Sequence, residues 1–172
     1  MRKFLISFVF LSCFFGCKEK SEIRKVTIPE GLESIGYGEN SKELCLTCSK
    51  KLIVYLNLEI NSMYLFGVQP NVWKDMRDKY PDVGVVCVIA GKSYEKKRDR
   101  SYVIRSLEEA KFPFQVLYDP ENRFFELNKL NPGINHKSSI QTFFTNKDVF
   151  FSSPEIGMPE LFKEQLEEFL KE

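Results

Sequence analysis

Surplus positive charge is the first thing this sequence lacks. Lys and Arg number 25 against 24 Asp and Glu, a net charge of +1, whereas binders of nucleic acid carry clustered excess cations. Nucleic acid is therefore not an expected partner. Histidine is nearly absent, with His136 the only one. A zinc site of two cysteines and one distant histidine falls short of four good ligands, and a Ser-His hydrolase would have one base to draw on, without a G-x-S-x-G elbow. No apolar run reaches the roughly 20 residues of a spanning helix, and no internal repeat or low-complexity tract interrupts the chain. What is present is a globular composition rich in aromatics, with sixteen Phe and seven Tyr. A chain of 172 residues has room for one well-buried domain with a leader or tail.

The leader comes first. Arg2 and Lys3 form a positive n-region and Phe4 to Phe15 an apolar run of signal-peptide length. Phe14-Phe15-Gly16-Cys17 resembles a bacterial lipobox, which implies a signal peptide over residues 1–16 and a diacylglycerol on Cys17, the mature N-terminus. Phe10-Leu11-Ser12-Cys13 is a second candidate that leaves a shorter apolar core, and a plain secretory peptide is the simpler alternative. Residues 17–43 turn charged and then rich in Gly, Ser and Asn, as a tether lifting a domain off a membrane would be. Within them Val26-Thr27-Ile28 reads as a short edge strand before Pro29. The expected setting is the bacterial cell envelope, with the membrane held through the N-terminal lipid.

Residues 44–172 read as the domain. Leu52 to Leu58 is a continuous β-branched and aromatic run, the signature of a covered central strand. Tyr64, Leu65, Val68, Val72, Trp73 and Met76 then recur at helical spacing, with Asn61 or Ser62 as cap, Tyr80-Pro81 as stop and Pro70 as an internal kink. Val83 to Ala90 is a second buried strand, followed by the basic loop Gly91 to Arg100. A helix over Ser101 to Lys111, a strand over Phe114 to Tyr118 and a short helix over Arg123 to Leu130 follow. After the break at Asn131-Pro132-Gly133, Ser138 to Asn146 precedes the hairpin turn Asn146-Lys147-Asp148 and the strand Val149 to Phe151. An amphipathic helix over Pro159 to Lys171 closes the chain.

Cys45-Leu46-Thr47-Cys48, the one C-x-x-C, stands immediately before the central strand. An exported chain favours a structural disulfide there, but a redox-active dithiol and a metal ligand pair are open alternatives. Cys87, inside the second buried strand, reads as a small core hydrophobe. His136 reads as an exposed loop residue.

Strand, loop, helix and a helical proline, with FPFQVLYDPENRFFELNKL further on, resemble the thioredoxin-like proteins of the TlpA type and the peroxiredoxins. The resemblance implies an α/β fold, a three-layer α/β/α sandwich with a central mixed β-sheet. It also implies a reactive C-x-x-C at the start of the helix, five residues ahead of Pro70 at its second cysteine, and a cis-proline before the hairpin. Ser62 and Leu65 hold the two cysteine positions and Ile140 the proline position, so the expected geometry at Ile140 is trans. The peroxiredoxin Thr-x-x-Cys is also missing, which ranks peroxidase activity last. The expectation is a degenerate domain without a cofactor, binding a protein or small ligand. The alternative is a thiol-disulfide oxidoreductase working through Cys45 and Cys48.

Overall fold

A computed structural model describes residues 25–38, 41–130 and 140–172. The leader, Cys17, His136 and the break at 131–133 lie outside them. Strand β2 (Lys50–Asn57) is the axis of the fold, and all its residues after Lys50 are buried. It pairs in parallel with β3 (Gly84–Ala90), Val54 opposite Cys87. On its other side it runs antiparallel to β5 (Ile140–Asn146), Val54 opposite Thr142. β4 (Val116–Asp119) extends the sheet beyond β3, β1 (Glu33–Ile35) forms one edge and β6 (Val149–Ser152) the other, in the order β1-β4-β3-β2-β5-β6. Parallel strands in the middle and antiparallel ones outside make the sheet mixed, as expected.

Alternation along β2 sorts its side chains between two cores. Leu52, Val54 and Leu56 face a core built with α1 (Tyr64–Val68), α2 (Pro70–Asp78), α3 (Arg100–Ala110) and α5 (Pro159–Lys171). In α5, Phe162, Leu166 and Phe169 recur at helical spacing and are buried. Phe169 stacks on Phe144 of β5, ring centres 4.6 Å apart. Ile53 and Tyr55 face the opposite core, which Val26 and α4 (Arg123–Leu127), through Phe124, help to cover. The layers are thus unequal, four helices against one among the described residues. Every buried hydrophobic residue of those described lies between Val26 and Phe169.

Three expectations are corrected. The helix after β2 is broken, not kinked. Pro70 has no amide hydrogen and a fixed φ, so it opens α2 in its first turn, while Gln69 (φ −120°, ψ 49°) ends α1. Neither Asn61 nor Ser62 caps α1; Met63 stands there without a side-chain hydrogen bond. Val26 to Ile28 is not a strand either. Lys25 makes an isolated bridge to Val149, and the edge strand is Glu33–Ile35, antiparallel to Val116–Tyr118.

Candidate functional site

The C-terminal end of β2 is where the loop carrying Ser62 begins. Asn57 turns the chain by accepting the Glu59 amide on Oδ1 at 2.9 Å. Gly91, at the matching end of β3, has φ +68°, and a Cβ there would stand 2.7 Å from that same oxygen. Only glycine fits this approach. The loop's carbonyls then point at cations from the segment after β3. Arg98 Nη1 donates to Leu58 O at 3.2 Å and Asn61 O at 2.6 Å, and Lys96 Nζ donates to Glu59 O at 2.9 Å. The Met63 amide donates to the Tyr102 hydroxyl at 3.0 Å. The loop is thus held through its carbonyls by two cations and through the Met63 amide by Tyr102.

Ser62, half-buried, opens onto a cleft of about 450 Å³ between α1 and α3, walled by Met63, Tyr64, Val68, Tyr102 and Glu109. Tyr64 and Val68 are exposed on its rim. Leu65 points into the core, 9% exposed. Ile140 starts β5 opposite Leu56 and packs half-buried against the same core. No peptide bond among the described residues is cis. No cluster of His, Cys, Asp or Glu among them could hold a metal ion.

Cys45 and Cys48 lie at the opposite end of the sheet, ahead of β2, joined by a disulfide with Cα atoms 5.4 Å apart. Both are half-buried and Thr47 between them is exposed. Lys51 is the residue beside this disulfide that sequence reasoning missed. Its ammonium is buried, donates to Cys48 O at 2.6 Å and pairs with the Asp148 carboxylate at 2.9 Å. A lysine at the head of an apolar strand was the one available signal. Cys87 is wholly buried with a free thiol, and burial pushes that thiol well above its ordinary pKa.

The sheet also holds a titrating group. Tyr55 donates to Asn122 Oδ1 at 2.8 Å, and burial, the largest influence, pushes its pKa up to about 12 from 10.0. Above the unfolded value the unfolded chain has lost this proton while the folded protein keeps it, so stability falls as pH rises toward 12. Tyr55→Phe is expected to flatten that part of the alkaline decline in Tm. Identical declines in the two proteins would assign it to another group.

No family model and no curated protein matches this sequence. Solved structures do match. A thioredoxin-like protein solved in its oxidised form aligns with a TM-score of 0.54 at 13% identity, over 87% of this chain and 96% of its own. A protein from Chlorobium tepidum assigned as a thiol:disulfide interchange protein, DsbE, aligns at 0.52 and 12% identity, over 86% and 96%. The exposed lipoprotein thioredoxin Etrx1 of Streptococcus pneumoniae aligns at 0.50 and 14%, over 70% and 85%. The chain spans only about 55% of a longer, uncharacterised Geobacillus kaustophilus protein that it also matches. The fold is thioredoxin-like. At these identities the likeness defines the architecture alone.

Proposed function

We propose that this chain is a lipid-anchored protein of the bacterial envelope whose thioredoxin-like domain is a non-catalytic binding or accessory module. The observation that carries this is the loop after β2. Where the resemblance places two cysteines it has Ser62 and Leu65, the latter turned into the core, and Arg98 holds its carbonyls. The partner, a protein or small ligand, would use the cleft beside Ser62, whose rim offers Tyr64 and Val68. Cys17 would carry the lipid; one matching structure with this fold is itself described as a lipoprotein.

A thiol-disulfide oxidoreductase working through Cys45 and Cys48 is the alternative, favoured by the Lys51 ammonium beside the Cys48 carbonyl. Insulin reduction by dithiothreitol separates the two. The binding module is expected to leave the rate at that of the reagent alone. An acceleration that disappears in the C45S/C48S protein would replace it with the oxidoreductase. Fatty-acid labelling of the protein in cells, lost in C17S, is the matching expectation for the anchor.

A further inference from the structure

The pole of the sheet opposite Ser62 carries a second assembly, which stands whatever the cleft binds. The Cys45–Cys48 ring rests on Gly84, where a Cβ would come within 2.8 Å of Cys45 O and 3.1 Å of Cys48 Cβ. Cys48 O accepts from Lys51 Nζ, and Lys51 is paired with Asp148. The backbone oxygen of Asp148 accepts the Val26 amide at 2.8 Å. Leu46 at the tip of the ring, Val26 and Asp148 also wall one groove of about 620 Å³. Disulfide, buried cation, hairpin turn and N-terminal segment therefore form one unbroken series of contacts.

We propose that Cys45 and Cys48 are a redox switch, with a dithiol as reductant, that sets how firmly residues 25–32 are held against the sheet. One thiolate of the dithiol attacks the ring and forms a mixed disulfide, and its second thiol then displaces the protein sulfur. The protein S–S bond takes up two electrons and two protons to become two thiols, and the reagent leaves as its own disulfide. Two thiols do not stay at bonding distance, so the ring widens. Gly84 gives it no room inward, and the Cys48 carbonyl moves off Lys51. That side chain is 3% exposed, so it must draw harder on Asp148. The hairpin turn shifts, and with it the acceptor of the Val26 amide. Half-burial and the exposed Thr47 leave the ring open to attack.

Hydrogen exchange of the protein, oxidised and after dithiothreitol, tests this by comparing residues 25–32 with strand β3. Reduction is expected to speed exchange in residues 25–32 by about tenfold or more while β3 stays protected. The C45S/C48S protein should exchange in the same fast manner without reagent, and in Lys51→Met the two redox states should exchange alike. Equal exchange of residues 25–32 in both states of the unaltered protein would overturn the switch. So would a pair that dithiothreitol does not reduce. Loss of β3 protection on reduction would overturn it as well, because the disulfide would then be a staple for the whole domain.

Discussion

Trp73→Ala is expected to lower the unfolding free energy by about 3–5 kcal/mol, a large part of what a domain of this size has. Trp73 is 1% exposed. Its ring stacks on Phe66 at 5.6 Å and meets Phe112 edge-on at 5.1 Å. Removing it empties the space between α1, α2 and the Lys111–Phe114 turn, where two more aromatic rings cannot collapse without losing each other. Trp73→Phe separates the sources of this loss. The indole Nε1 is buried with no hydrogen-bond partner among the described residues, so replacing it removes an unsatisfied donor while most of the ring contact remains. The cost should then be only about 1 kcal/mol. Urea unfolding followed by circular dichroism reads both, since Trp73 is the one tryptophan and its fluorescence goes with it. A Phe variant as unstable as the Ala variant would mean that the indole N–H is paired.

The second large effect concerns Lys51. Asp148→Ala should cost about 2 kcal/mol, while Lys51→Met costs between about 0 and 1. In the first variant a buried ammonium keeps one carbonyl and loses the one carboxylate it pairs with among the described residues. A fully buried broken pair costs more, but Asp148 is 55% exposed, so water screens part of the pair and the figure is reduced accordingly. In the second variant charge and partner problem leave together, and the methionine fills the channel of the lysine stem. Midpoints of urea unfolding at unchanged slope report the difference. A silent Asp148→Ala would show that the ammonium reaches water by another route.

Much of this fold was legible because its central elements are periodic and long. β2, β3 and α5 fall where apolar continuity or helical spacing places them, and the hairpin turn read at Asn146-Lys147-Asp148 is one residue wider than the turn between β5 and β6. The failures are non-local. Val26-Thr27-Ile28 has the stronger strand composition, but the free edge of β4 is taken by Glu33–Ile35, a pairing with a strand more than eighty residues away that no local pattern announces. Pro70 marks a discontinuity in sequence, but whether the chain bends or breaks there depends on how Trp73 and Phe66 pack. At the site, Ser62 and Leu65 could be placed by counting from Pro70. The grip of Arg98 on the Leu58 and Asn61 carbonyls could not, since it joins two loops that have no pattern in common. The counter-ion of Lys51 comes from the hairpin turn, far along the chain, and no local pattern signals it.

The two neighbours of β2 bear on how the domain is assembled. Its parallel partner β3 is made soon after it, and the crossover through α1 and α2 is short. Its antiparallel partner β5 is separated from it by two more strands and most of the helices. Closing that loop comes late, because the entropy of a long closure must be met before any of its contacts form. Between the completion of β2 and that of β5, the most buried strand therefore has one edge bare and apolar, an invitation to pair with another chain.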